Sequence, residues 1–347
     1  MADGLARQLE LLGLDETRRQ AKAAAAHPAA RTRQLNRIET AHALLSELPS
    51  IEDLAFLHSG LCQTCLPHSR PASNQDIWTR SSGRFSLIVT PGVIDDRSHA
   101  TRRRQPTPAE KEAMFVGVPY GSKARLIMIH LQTEGLKSRI VPLGPSLSAF
   151  LRSLQLPITG GPRGTILAIR EQCLRLARCT FSMQWSDLSE KGEERTMVSD
   201  TKLVDGLELW RAGNGEDWRG TVELSHRFHE HLREHAVPLD RRGIAHLSGN
   251  SLGLDLYALF AYRLPRLRRD LFLSWDALQG QIGTDYSEGK DLAKKVRAVL
   301  PDVFVAYPHA KVGVTSGGLS LKNSRPAVPE NAKVKGFTLL RAPAPKT

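Results

Sequence analysis

The chain reads as an α+β protein made of two domains of one design behind a helical extension. Three observations predict this. Between Leu252 and Lys322 the pattern runs helix, short strand, helix, tight turn, basic helix and β-hairpin. From Ser122 to Trp210 the same order appears in outline, with little shared sequence. The length, 347 residues, suits two domains. Helix, strand, helix, helix, hairpin is the order of a winged helix-turn-helix, which lays one helix in a DNA groove. The predicted architecture is therefore two tandem winged helices. Residues 1–57 form the extension. Residues 58–211 form a first domain for dimerisation, with DNA contact left open, and 220–325 a second for DNA recognition. Residues 326–347, with Pro326, Pro329, Pro343 and Pro345, read as a flexible tail.

In chain order, Leu5, Leu9, Leu11 and Leu12 begin a helix, an Ala-rich run is broken at Pro28, and Ile38 to Leu48 is a second helix. Phe85–Thr90 is a strand ended by Pro91-Gly92, and Asp95 to Lys111, with Arg102-Arg-Arg104, is an exposed loop. Ser122–Gly135 is a helix, Arg139–Pro142 a strand, Ser146 the cap of a helix to Leu154, Thr165–Arg178 a helix and Thr180–Trp185 a strand. Met197–Val204 and Leu207–Trp210 close a hairpin on Asp205-Gly206, and Ala212–Arg219 is a polar linker.

The second domain opens at the strand Thr221–Leu224, then a helix from Ser225 to His235. Leu252, Leu256, Leu259 and Phe260 recur at helical spacing up to Pro265, and Leu271–Leu273 is a short strand. Ser274 caps Trp275–Ile282, and Gly283 suits a left-handed ending. A helix from Ser287 to Val299 sets Leu292, Val296 and Val299 on one face and Ser287, Lys290, Lys294 and Arg297 on the other. Val303–Tyr307 reads as a strand, and Val312–Val314 with Leu319–Lys322 as a wing.

Composition narrows the partners. With 41% apolar and 24% charged residues the chain is an ordinary globular one, large enough to need no disulfide or metal staple. A net charge of +12 and a pI near 9.8 favour a polyanionic partner through phosphate neutralisation. No apolar run reaches a membrane span, and the start Met1-Ala-Asp-Gly-Leu-Ala-Arg has no signal-peptide core. A cytoplasmic protein with four reduced cysteines and no membrane partner is expected.

Six segments carry a family resemblance. They are Leu87–Gly92, Val116-Gly-Val-Pro-Tyr-Gly-Ser-Lys-Ala-Arg-Leu126, Ile140–Gly144, Gly160–Gly164, Phe228–Leu239, and Leu256–Ile282 with its Tyr-Ala-Leu-Phe-Ala-Tyr-Arg-Leu-Pro. In this joint order the chain resembles the plasmid-encoded RepA family of replication initiators, over roughly residues 58–325. The resemblance implies binding to repeated sequences (iterons) in double-stranded plasmid origin DNA and help in opening the duplex. It also implies recruitment of the host initiator and replicative helicase, and a homodimer in equilibrium with monomer.

Other motifs point elsewhere. Cys62-Gln-Thr-Cys65 with His58 and His68 has half a zinc site's spacing, and no second CxxC completes it. His231-Leu-Arg-Glu-His235 matches the inverted zinc-protease motif H-x-x-E-H, but without a third ligand it reads as a polar outer helix face. His229-Glu-His231 lacks the apolar middle residue of metal-dependent nicking initiators. Gly160-Gly-Pro-Arg-Gly-Thr165 lacks the lysine of a phosphate loop. The expectation is a non-enzymatic DNA binder with no cofactor and no metal. Its expected DNA contacts are Ser287, Lys290, Lys294, Lys295, Arg297, Lys311 and Lys322, with Arg163 and Arg170 from the first domain. The alternatives are a winged-helix transcription regulator and a metal-dependent hydrolase on His231, Glu234 and His235.

Overall fold

The structure is a computed structural model describing residues 3–25, 27–93, 107–161, 164–188, 194–209, 220–283 and 289–329. In chain order the first half holds α1 (Asp3–Ala24), α2 (Pro28–Ser46), β1 (Leu54–His58), α3 (Ser59–Gln63), β2 (Trp78–Ser82), β3 (Phe85–Thr90), α4 (Pro108–Met114), α5 (Gly121–Gly135), β4 (Ile140–Pro142), α6 (Leu147–Ser153) and α7 (Thr165–Arg178). The second half holds β5 (Thr180–Leu188), β6 (Glu194–Lys202), β7 (Val204–Leu209), β8 (Gly220–Leu224), α8 (His226–His235), β9 (Ala236–Asp240), α9 (Arg241–Leu247), α10 (Ser251–Arg263), β10 (Leu271–Ser274), α11 (Trp275–Ile282), α12 (Gly289–Ala306), β11 (Val312–Val314) and β12 (Gly318–Leu321). The protein is α+β.

It divides into two compact units. One joins residues 1–62 to 236–347; the other is 63–235. The boundaries read from the sequence, 1–57, 58–211, 220–325 and 326–347, cut the chain differently for two reasons. First, α1 and α2 do not stand apart: Leu9, Ile38 and Ala41 bury against Val305 of α12. Arg37 also grips Asp302 through two hydrogen bonds of 2.7 and 2.8 Å. Second, β8 does not open the C-terminal domain, because it is the middle strand between β4 and β7 of the continuous unit.

In the discontinuous unit α10 is the central helix, buried from Leu252 to Ala261 on every side, as a helix surrounded by others must be apolar all round. The Tyr257 hydroxyl accepts the Asp240 N–H at 2.8 Å, tying α10 to β9, which pairs antiparallel with β1. The sheet beside α11 and α12 has the order β10-β12-β11, all antiparallel. Ser274 caps α11 as its position predicted, accepting the Ala277 N–H at 3.2 Å. Gly283 is not left-handed: its φ is −74°. Glycine is needed there for room, since a Cβ would lie 2.6 Å from the Gln279 carbonyl oxygen. Gly13, at φ 75°, is where a left-handed residue breaks α1.

Val303–Tyr307 is the clearest correction. It is not a strand: α12 runs through Pro301 to Ala306, and the Tyr307 N–H still bonds to the Val303 carbonyl at 2.9 Å. Val299, Val303 and Ala306 are all buried at helical spacing. Burial of that face outweighs both the β-branched composition and the hydrogen bond that proline removes.

In the continuous unit α5 is the central helix, with Leu126 to Ile129 and Leu131 buried. β4-β8-β7 forms a three-stranded antiparallel sheet, and β2-β3-β5-β6 a four-stranded one. The hairpin expected between Met197 and Trp210 does not form. β6 pairs with β5, and β7 pairs instead with β8; residues 212–219, read as a linker, lie outside the described residues. Residues 108–111, the end of the stretch read as loop, open a helix that runs to Met114, because Thr107 and Glu110 form a reciprocal capping box. Arg102, Arg103 and Arg104 lie outside the described residues. Among the described residues, no helix is long and apolar enough to cross a membrane.

Candidate nucleic-acid interface

The exposed face of α12 follows from its buried one. Leu292, Ala293, Val296, Val299 and Leu300 are buried, so Lys294, Lys295 and Arg297 must point out, and all three are exposed. Lys290 lies in the first turn of the same helix, and Ser287 lies outside the described residues.

The turn of the β11–β12 hairpin is fixed to this helix. The Thr315 N–H donates to the Gly318 carbonyl at 2.9 Å, and the Gly318 N–H donates back to the Thr315 hydroxyl at 3.1 Å. The Trp275 indole N–H donates to the Ser316 carbonyl at 2.7 Å, and its backbone N–H to that of Gly317 at 3.1 Å. Arg297 closes the cluster: it donates to the Thr315 carbonyl at 3.1 Å and lies 5.2 Å from the centroid of the Trp275 ring. One exposed guanidinium is thus both a surface cation and the brace between helix and turn. Periodicity could place it on the outer face but could not reveal the brace.

Lys311 and Lys322 sit at the foot of the hairpin, away from its turn. The Lys322 N–H donates to the Lys311 carbonyl at 3.0 Å, and the Lys322 ammonium is 3.4 Å from Asp270. These two wing residues thus face each other across the open end of the hairpin. Beside them the sequence reading missed Arg266, Arg268 and Arg269, all exposed just before β10. The run Arg266-Leu-Arg-Arg269 was the available signal. Arg170 is half-buried on α7 of the other unit, and Arg163 lies outside the described residues.

The rival motifs acquire surroundings. His231 and His235 are not on a polar outer face. Their rings are 4.3 Å apart, and that of His231 lies 4.9 Å from the Trp185 ring. Burial, reinforced by His235, pushes His231 down to about 4, so it is neutral near pH 7. Glu234 is largely exposed, 4.0 Å from His235. Cys62 is buried, with its thiol 3.9 Å from the Leu57 carbonyl, and burial pushes its ionisation far up. His58 is buried too, and its Nδ1 accepts the Gly60 N–H at 3.1 Å.

A family model described as plasmid encoded RepA protein matches residues 118–277. Over that stretch the chain is similar to the RepA family, the resemblance that the six segments carry. The match crosses both units and ends inside α11, so α12 and the hairpin lie beyond it. A crystal structure of domains 2 and 3 of RctB, as a selenomethionine derivative, is similar with a TM-score of 0.44. It shares 11% identity, covering 76% of this chain and 98% of that chain. Another crystal structure of RctB domains 2-3 gives a TM-score of 0.41 and 13% identity over 75% of this chain and 94% of that chain. No curated protein matches.

Proposed function

We propose that this protein is a plasmid replication initiator that binds repeated sequences in origin DNA through two winged helices. The basic outer face of α12, braced to the hairpin turn by Arg297 and Trp275, carries the reading. The helix–strand–helix–helix–hairpin order with sheet order β10-β12-β11 supports a winged helix there, and β4-β8-β7 supports one in the other unit. The RepA match over residues 118–277 supports initiation as the purpose of binding. Affinity comes from Lys294, Lys295 and Arg297 on phosphates, with Arg268 and Arg269 adding to them; specificity comes from the first turn of α12, including Lys290. The protein acts in the cytoplasm without catalysis of its own. It opens the duplex and engages the host initiator and helicase, and a dimer gives way to the DNA-bound form.

Full-length protein titrated onto an iteron duplex and a scrambled duplex at two salt concentrations tests the binding. Tighter iteron binding and a steep salt slope are expected. Equal affinity for both duplexes would sink sequence recognition. Maintenance of an origin-bearing plasmid in a host lacking any other initiator then separates an initiator from a transcription regulator of the same fold.

A further inference from the structure

A cavity of about 510 Å³ opens within the discontinuous unit between α1, α2, the C-terminal half of α12 and the hairpin turn. Its walls are largely apolar, from Leu5, Leu300, Phe304 and Val314, and among the described residues the charged side chains lining it are Arg37 and Arg297. The two cations differ. Arg37 is already matched by Asp302 at 2.7 Å. Arg297 spends its hydrogen bond on the neutral Thr315 carbonyl, and among the described residues no carboxylate pairs with it. An apolar hollow of this size with one unmatched guanidinium has the chemistry of a small-molecule site: the walls take a hydrophobic body and the cation fixes an anionic head.

We propose that this cavity binds a small amphipathic acid, with its apolar body against Leu5, Leu300 and Phe304 and its carboxylate on Arg297. The site rests on its own lining and not on the DNA reading. It is partly built by α1, so the N-terminal helices gain a role beyond packing.

Titration calorimetry on the full-length protein tests it, with decanoate and decanol as probes below their aggregation limits. One site per chain is expected, with decanoate at least about tenfold tighter than decanol, a difference of about 1.4 kcal/mol. Arg297→Gln should erase that preference, and Ala6→Trp, which fills the hollow, should abolish binding. Val314→Trp, at an exposed position, fills it from the hairpin side and keeps the test valid should the first variant fold poorly. The proposal fails on any of three results: no saturable binding, equal binding of acid and alcohol, or binding that survives both filling variants in folded protein.

Discussion

The two units share a plan and use their arginines in opposite ways. Each wraps a central helix, α10 or α5, and each places a short strand, a short helix and a longer helix before an antiparallel sheet of the same order. In the discontinuous unit the longer helix, α12, turns Lys294, Lys295 and Arg297 outward. In the continuous unit the longer helix, α7, turns Arg175 inward. Only 3% exposed, it donates to the Val118 carbonyl at 2.9 Å and to Glu171 at 2.9 Å, and lies over Tyr120. Arg125 on α5 does likewise, donating to the carbonyls of Leu66, Pro67 and Gly121. The continuous unit also carries β5 and β6 between α7 and β7, where the other passes from α12 to its hairpin. A basic residue's place in such a plan therefore does not give its role. Its neighbours decide whether the charge is buried among carbonyls or kept at the surface.

The largest test of that contrast is Arg175→Ala. It strands the buried Val118 carbonyl and leaves the half-exposed Glu171 without its ion pair, which should cost about 1–3 kcal/mol in denaturant unfolding. DNA affinity per folded molecule should not change; a large loss in folded protein would move Arg175 into the interface. Lys294→Ala and Lys295→Ala should do the reverse. Each weakens iteron and scrambled duplex alike and lowers the salt slope by about one unit, with unfolding shifted by less than about 0.5 kcal/mol. Unchanged slopes would mean the exposed face of α12 is merely solvated.

His231 gives a pH test confined to the continuous unit. Its folded-state ionisation is depressed from 6.5 to about 4, mainly by burial and then by His235. Folding therefore favours the neutral ring. Stability is full above pH 6.5 and is lost as pH falls from there toward about 4. His231→Phe should make urea midpoints measured across that window fall less steeply, and an unchanged profile would refute the assignment. The smallest effect is expected from Asp270→Ala. The Lys322–Asp270 pair is exposed on both sides, so stability should move by less than about 1 kcal/mol. Freed from its carboxylate, Lys322 should tighten DNA binding slightly, and unchanged binding would place the hairpin's foot away from DNA.

The sequence by itself determined the α+β class, the two central apolar helices, the caps at Ser146 and Ser274, and the outer face of α12. All of these rest on contacts between residues a few positions apart, which periodicity and capping chemistry report directly. Only the tertiary structure decided the rest. Pairing of β7 with β8 across residues 210–219, and of β4 with β8, joins segments whose local patterns do not name their partners. Val303–Tyr307 looks like a strand until the burial of Val303 and Ala306 is known. Arg175 and Arg297 lie on similar helices, and what separates them is distant in sequence: Val118 for one, Trp275 and Thr315 for the other. A charge's role is set by the three-dimensional neighbours that meet or leave unmet its hydrogen bonds, and no local pattern encodes those.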